Sequence, residues 1–435
     1  MIYKSAGRRA QGMGHGAWRN VVFYAVLVLT FQVLLFTAVE AKVYIDITSP
    51  SAKKLPIAIY DLQGAQGKEI ADIIRDDLTF TGLFICIDKA SYIEPISQKF
   101  NQQNWKPLGI EAVVKGTMTA AQGLSVDIAV YDVFEGKEML SKQYQSSKDL
   151  LRQLAHNISN DIYKVFTNQT GMFRTKIAFV AEDDREKGIY VMDWDGQRVR
   201  KLGLKGSLVL APHWSADGTK IVYSSERGRQ WGIYLLDFGK MTERRIFASK
   251  GTNMAGSFLP TGDAITLSST KDGTPDIYVL SLKDETMKKL TFTQGIEVSP
   301  AVSPDGSQIA FVSDRGGSPQ IYMMRADGSD IRRVTFEGSY NTSPAWSPAG
   351  DRIVFSCRRG KNQICIVKPD GSALVQLTES GNNEDPSFSP EGRYITFSSD
   401  RDGTKGIYIM RANGETQKKV SPPGLRSNAP TWSPN

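Results

Sequence analysis

Pro300-Ala-Val-Ser-Pro-Asp-Gly306 decides the fold, because the chain repeats this stretch at a nearly fixed spacing. Full or degenerate copies begin at residues 212, 256, 300, 344, 386 and 430, in steps of 44, 44, 44, 42 and 44 residues. Ser-Pro-Asp-Gly suits a type I turn, since proline presets φ at the second position and glycine is favoured at the fourth. A period in the forties is typical of stacked or radially arranged repeats.

Each turn is followed by an apolar run, a polar loop, an Ile-Tyr pair in most copies and a second turn with Asp-Gly or Asn-Gly. In the quoted copy the run is Gln308-Ile-Ala-Phe311 and the pair is Ile321-Tyr322. This pattern predicts four short strands per unit, as in a propeller blade. The first set of predicted blade strands, from Lys176, lacks the Pro-x-Trp strand that precedes the others. The last copy of the motif, Pro430-Thr-Trp-Ser-Pro434, has no strands after it. We predict that these two ends share one blade and close a ring of six.

The repeat is absent from residues 42–172, which we predict to be a separate α/β domain. Lys42–Thr48 alternates apolar and polar residues and indicates a strand, while Lys68–Leu78 and Leu150–Phe166 have helical spacing. Further strands are predicted at residues 56–60, 84–87, 112–114 and 126–131. The predicted fold is therefore an α/β N-terminal domain followed by a six-bladed all-β propeller of WD40-like repeats (residues 173–435), closed by the C-terminal strand.

Residues 1–41 have the pattern of a secretory signal peptide. Basic residues precede an apolar run of 16 residues, Val21–Phe36, and small residues follow it. The run is short for a spanning helix, and an uncleaved membrane anchor is the alternative. The leader carries four basic residues and one acidic residue, so +3 of the +7 net charge belongs to it and +4 remains. The mature chain has no clustered basic stripe, and we predict no nucleic-acid partner.

Signatures of catalysis are missing from the sequence. Neither Gly-x-Ser-x-Gly nor His-Glu-x-x-His occurs, and only His156 and His213 lie beyond the leader. Gly64–Lys68 has the wrong spacing for a phosphate loop, and Asp193–Gly196 lacks the glutamate of a calcium loop. We predict a binding protein with no catalytic residue, no cofactor and no metal. The alternative is a secreted propeller of a peptidase- or glycan-processing system.

The connections between blades are predicted to meet at the mouth of the central channel, opposite the tight turns. Loops held by a rigid scaffold are where binding residues concentrate. The predicted partner-binding residues at this mouth are Asn253, Met254, Glu297, Asn341, Thr342, Asn383, Glu384 and Asn428. The alternative for each residue is that it only satisfies turn geometry.

Two cysteines depart from the repeat within one unit. Cys357 stands where neighbouring units have Ser, and Cys365 replaces the Tyr of the Ile-Tyr pair. Both fall on adjacent antiparallel strands of an exported chain, where disulfides persist. We predict a disulfide between them, with two free buried thiols as the alternative. Cys86 lies in an apolar strand and is expected to be an inert core residue.

The repeat, together with Ala155-His-Asn-Ile-Ser159, Ile162-Tyr163 and Gly171-Met-Phe173, resembles the TolB family of the Tol-Pal system over nearly all of the mature chain. The resemblance implies a TolB-type propeller in the periplasm that docks the peptidoglycan-associated lipoprotein Pal. It also implies that the mature N-terminus meets the inner-membrane protein TolA. By the same resemblance, other outer-membrane or peptidoglycan-linked proteins would be candidate partners. The protein would be peripheral to the membrane and would support outer-membrane integrity and envelope constriction in cell division.

By that resemblance the residues that would meet TolA are Lys42, Val43, Tyr44, Ile45, Asp46 and Ile47. A free alternating strand has a physical means of binding, because its backbone can pair with the edge of another sheet. The alternative is a strand fixed within its own domain.

Overall fold

A computed structural model describes Ile45 and residues 53–121, 123–183, 186–202 and 208–435. The predicted leader and the predicted N-terminal strand, apart from Ile45, lie outside these residues. Within the described part of the chain, no helix combines the length and the apolar character needed to cross a membrane.

The N-terminal part contains one mixed sheet and two helices. The strands are β1 (Leu55–Ile59), β2 (Phe84–Cys86), β3 (Ala112–Thr119), β4 (Leu124–Asp132) and β5 (Lys137–Ser146), and the helices are α1 (Gly67–Thr81) and α2 (Leu151–Thr167). The sheet order is β2-β1-β3-β4-β5, with β1 parallel to both of its neighbours. Alternate β1 residues face opposite sides: Ile57 and Ile59 pack with the helices, and Ala58 packs with Trp105.

Sequence and structure differ at one strand of this sheet. Strand β5 was not predicted, because most of its residues are polar and exposed or half-buried. Helix α1 begins at Gly67, the last glycine of the stretch that superficially resembles a phosphate loop. A Cβ atom at Gly67 would lie 1.9 Å from the Leu62 carbonyl oxygen. The glycine therefore permits a close backbone approach at the helix entry.

The rest of the described chain forms six four-stranded sheets, the blades. Blade 1 is β9 (Leu208–Trp214), β10 (Lys220–Arg227), β11 (Gln230–Asp237) and β12 (Thr242–Ala248). Blade 2 is β13 (Asn253–Phe258), β14 (Ala264–Ser269), β15 (Asp276–Ser281) and β16 (Met287–Lys289). Blade 3 is β17 (Glu297–Val302), β18 (Gln308–Ser313), β19 (Gln320–Arg325) and β20 (Arg332–Arg333).

The remaining three blades complete the circle. Blade 4 is β21 (Asn341–Trp346), β22 (Ile353–Arg359), β23 (Lys361–Val367) and β24 (Val375–Gln376). Blade 5 is β25 (Asn383–Phe388), β26 (Tyr394–Ser399), β27 (Gly406–Arg411) and β28 (Lys418–Lys419). Blade 6 joins β29 (Arg426–Trp432) to β6 (Lys176–Asp183), β7 (Glu186–Asp193) and β8 (Arg200–Lys201).

The first strand of each blade lies against the first strand of the next, in the closed order β9, β13, β17, β21, β25, β29 and back to β9. These six strands are therefore innermost. The prediction of six blades closed by the C-terminal strand is confirmed, since β29 pairs antiparallel with β6. Middle strands such as β14 and β26 are buried throughout, because each blade is covered on both faces by its neighbours.

The N-terminal domain packs on the face that carries the tight turns of blades 5 and 6. The Phe80 ring, at the end of α1, lies 5.0 Å from the Trp194 ring and 5.3 Å from the Tyr394 ring between centroids. One hydrophobic cluster runs from the N-terminal sheet into these two blades. The opposite face, where the blades are connected, is left open by this domain.

Candidate partner-binding site at the propeller mouth

The innermost strands carry a strained residue at the same point in five blades. This residue directly precedes the repeat proline and has a left-handed backbone, with φ of 50° at Ala211, 53° at Ser299, 53° at Ser343, 55° at Asp385 and 47° at Ala429. Strand pairing shifts register at this point. A left-handed non-glycine residue costs roughly 1–2 kcal/mol, and such strain clusters at binding and switching sites.

Four predicted mouth residues occupy the first position of an innermost strand, and all are buried: Asn253, Glu297, Asn341 and Asn383. Asn253 accepts a hydrogen bond from the Ser269 hydroxyl at 2.6 Å and donates to the Trp231 carbonyl at 3.0 Å. Glu297 accepts from the Ser313 hydroxyl at 3.0 Å. The serine bonds fix the innermost strand to the next strand of its own blade, and the bond to Trp231 reaches the preceding blade.

The other two buried residues bond to side chains of the preceding blade or of a nearby loop. Asn383 accepts from the Arg401 guanidinium at 2.8 Å, and Asn341 donates to the Gln320 side chain at 2.7 Å. The Asn341 Oδ1 atom is buried without a partner, because Cys357 stands opposite it where blades 2 and 3 have a donating serine. All four side chains are thus buried and hydrogen-bonded within the propeller, and their contact with a partner stays a prediction.

The remaining predicted residues share the next position and form a half-buried ring with Leu210 and Val298: Met254, Thr342, Glu384 and Asn428. Glu384 pairs with the Lys405 ammonium and accepts from the Asn362 amide at 2.6 Å. Burial alone would raise the pKa of Glu384, but Lys405 and Asn362 hold the pKa below its ordinary value. This position is charged in blade 5 and apolar in blades 1, 2 and 3.

Two titratable residues lie just below this ring. Ser343 donates to Asp385 at 3.1 Å across the contact of blades 4 and 5, and burial raises the pKa of Asp385. His213 follows the repeat proline of blade 1, at a position where the other blades have Ser, Ala or Thr. Burial lowers the pKa of His213 to about 4, so its imidazole is neutral at neutral pH.

Two of the three cysteines, Cys357 and Cys365, lie in blade 4. The Cys357 and Cys365 sulfur atoms are bonded in the structure, and their Cα atoms are 5.9 Å apart. Cys86 is half-buried at the end of β2, and its thiol lies 3.7 Å from the Arg75 carbonyl oxygen. Burial raises the pKa of Cys86, which leaves it a weak nucleophile.

A buried polar cluster joins the two domains. His156 Nδ1, on α2, lies 2.8 Å from Asp77 Oδ2 on α1, and His156 Nε2 lies 3.6 Å from Asp195 Oδ2 in blade 6. Burial raises the pKa of Asp77, although the hydrogen bond from His156 opposes this effect. Asp195 also pairs with Arg152 of α2. Sequence reasoning missed this cluster, because its members are far apart in the chain and carry no motif.

Within the described residues, three groups of this cluster could supply metal ligands within 4.8 Å of one another: His156, Asp193 and Asp195. Asp193 already pairs with Lys176 at 2.9 Å and with Arg198 at 2.6 Å. Arg152 likewise neutralises Asp195. Because each carboxylate has a cationic partner, the cluster is balanced without a metal ion.

Of the predicted N-terminal strand only Ile45 lies within the described residues. Its backbone N–H donates to the Phe166 carbonyl at 2.8 Å, and its side chain is buried in the core shared with α2. The other predicted residues, Lys42, Val43, Tyr44, Asp46 and Ile47, lie outside them.

Known proteins share both parts of this architecture. The TolB beta propeller domain model matches residues 163–435, and the TolB amino-terminal domain model matches residues 43–139. A Tol-Pal system protein TolB from Geobacter sulfurreducens is 52% identical over 429 residues, which covers 96% of this chain and 99% of that protein. The crystal structure of TolB from Acinetobacter baumannii has a TM-score of 0.81 at 28% identity, covering 88% of this chain and 97% of the other.

The fold defines a class of two-domain proteins in which an α/β domain packs on one face of a closed six-bladed propeller. The mouth of the propeller is on the other face. The match to the curated relative spans almost the whole of both chains. The chain belongs to the TolB family, and it is a component of the Tol-Pal system.

Proposed function

We propose that this chain is a periplasmic protein-interaction component that binds the lipoprotein Pal through its propeller mouth and TolA through residues 42–47. The observation that carries the proposal is the half-buried ring at the mouth, bordered by five strained backbone positions. The ring is on the face that the N-terminal domain leaves open. Binding at these two ends would connect the inner membrane to the outer membrane and support envelope constriction and outer-membrane integrity.

The chemistry of the ring suits a protein partner. Met254 offers apolar surface, Thr342 and Asn428 offer hydrogen-bonding groups, and Glu384 offers a charge already paired with Lys405. Mixed apolar and polar contacts of this kind are typical of non-obligate interfaces. A hydrolytic role has less support, because the His156 imidazole is enclosed at the domain junction and bonded to Asp77.

The Pal contact is tested by titrating the purified periplasmic domain of Pal into the mature protein. Thr342→Arg places a long cation in the ring and should weaken binding at least about tenfold, since truncated or blocked central contacts dominate interface energies. Thr261→Arg is the matched control, because Thr261 is exposed in a tight turn on the opposite face. Equal affinities of the two variants for Pal would refute the mouth assignment.

The TolA contact requires a separate experiment. Deletion of residues 42–48 should remove binding to purified TolA and leave binding to Pal intact, because strand pairing needs that backbone. Loss of both activities would contradict two separate sites. N-terminal sequencing of the protein recovered from the periplasm tests the leader, with a new terminus expected near residue 42.

A further inference from the structure

Two consecutive connections between blades expose apolar side chains at the same two positions. The connection from blade 2 to blade 3 has Phe292, 75% exposed, and Ile296, 48% exposed. The connection from blade 3 to blade 4 has Phe336, 69% exposed, and Tyr340, 37% exposed. Single exposed apolar residues are ordinary, but their repetition on neighbouring loops indicates a contact surface. We call these four residues the aromatic rim.

The scaffold itself does not need these side chains. In each connection the preceding threonine closes the blade: Thr291 Oγ1 accepts from the Ile277 N–H and Thr335 Oγ1 accepts from the Ile321 N–H, both at 2.9 Å. The next connection, from blade 4 to blade 5, keeps this bond with Thr378 at 2.9 Å. At the two rim positions, however, it has the polar residues Glu379 and Asn382. The fold is thus compatible with polar residues where the rim has apolar ones.

The rim is continuous with the mouth. Each connection leaves the outermost strand of one blade and enters the innermost strand of the next, so its last residue directly precedes a mouth position. Ile296 precedes Glu297, and Tyr340 precedes Asn341. The rim therefore extends the mouth outward along blades 3 and 4.

Cations lie beside three of the rim side chains. The Lys289 ammonium is 5.5 Å from the Phe292 ring centroid, and the Arg333 guanidinium is 5.2 Å from that of Phe336. The Arg358 guanidinium is 4.6 Å from the Tyr340 ring centroid. Apolar side chains flanked by positive charge complement a protein surface that presents apolar groups with carboxylates at their margin.

We propose that the aromatic rim is the apolar anchor of the Pal contact, and that it receives apolar side chains of Pal flanked by carboxylates. This inference rests on the proposed function. The exposed rings would lose their water on binding, and buried aromatic anchors carry much of the energy of protein interfaces. The flanking cations would add attraction that weakens with salt.

The test is a titration of the purified Pal periplasmic domain into the mature protein carrying Phe292→Glu and Phe336→Glu, which copy the natural Glu379. We expect affinity to fall at least about 30-fold, the loss that a single aromatic hot spot would already give. Phe134→Glu is the matched control, because Phe134 is 68% exposed in the N-terminal domain. Its affinity for Pal should be unchanged, and the melting temperatures of all variants should match the parent.

A second arm tests the charge. Arg358→Gln should weaken Pal binding a few-fold at low salt and reduce its dependence on salt concentration. If Thr342→Arg abolishes Pal binding while the double glutamate variant binds like the parent protein, the rim inference is overturned and the proposed function stands. If the parent protein does not bind Pal, both fall. If the double glutamate variant binds Pal like the parent but no longer binds purified peptidoglycan, the rim contacts a glycan and the inference is overturned.

Discussion

The Trp432 indole N–H donates a hydrogen bond to Thr175 Oγ1 at 2.7 Å, and this bond joins residues 257 positions apart in the chain. Trp432 ends β29 and is 5% exposed, at the seam where blade 6 closes. We expect Trp432→Phe to lower the free energy of unfolding by about 1 kcal/mol, the value of one hydrogen bond. Trp432→Ala should lower it by about 3–5 kcal/mol, because it also leaves a cavity. Urea unfolding measures both, and equal losses would show that the bond, not the packing, dominates the seam.

The cysteines of blade 4 give a prediction with an internal comparison. Cys357→Ala and Cys357→Ser both remove the crosslink, which stabilises by about 2–3 kcal/mol for so short a loop. Serine would also offer a donor to the unpartnered Asn341 Oδ1, as Ser269 does to Asn253 at 2.6 Å in blade 2. We therefore expect the free energy of unfolding of Cys357→Ser to be about 1 kcal/mol higher than that of Cys357→Ala. The crosslink itself is absent if alkylation before reduction labels both thiols in an intact-mass measurement.

The Glu391 carboxyl should make stability depend on pH. Glu391 Oε2 is buried without a hydrogen-bond partner, and burial raises the pKa of Glu391 to about 7. The folded state then binds a proton more tightly than the unfolded state. This stabilisation is complete below about pH 4.5 and is lost as the pH rises to about 7, by up to about 3 kcal/mol.

Glu391→Gln keeps the shape of the protonated acid and cannot ionise. We expect this variant to have a higher melting temperature than the parent at pH 8 and a similar one at pH 4.5. If the melting temperature of the variant falls between pH 4.5 and pH 8 by as much as that of the parent, Glu391 is not the group responsible.

The Asp77–His156 pair should couple helices α1 and α2 of the N-terminal domain. Removing the imidazole in His156→Ala leaves the Asp77 carboxylate buried without its partner, which typically costs about 3–5 kcal/mol. A double-mutant cycle with Asp77→Asn and His156→Gln should give a coupling energy of about 1–3 kcal/mol. If the two substitutions change the free energy of unfolding additively, the contact between Asp77 and His156 contributes no interaction energy.

The repeat motif predicted the blade architecture because it combines turn chemistry with a fixed period. Gly306, at φ 74°, shows why the fourth turn position is glycine. The closing role of β29 followed from the missing strands at either end. Strand β5 escaped prediction because Lys137–Ser146 is an edge strand with mostly polar side chains, and polar alternation is a weak signal.

The sequence did not indicate which of the mouth residues are buried. Asn253 and Asn383 looked like loop residues because asparagine favours turns, yet both side chains are buried and bond to the preceding blade as well as to their own. Phe292 and Phe336 follow a buried Leu-Thr or Val-Thr pair, and a one-dimensional pattern cannot tell that the third residue points outward. To predict which of these side chains are exposed, one must know the contacts between blades, and these are not visible in the sequence.

The pairing of β29 with β6 has a consequence for how the chain reaches its native state. Five blades can assemble from neighbouring segments, but the sixth must wait for the last strand made, and closing so long a loop is slow. Until then β6 keeps an unpaired edge that can recruit foreign strands. A chain cut short before Arg426 would hold nearly all of its sequence and still lack a finished ring. The ring can therefore close only after the chain has been made through Trp432.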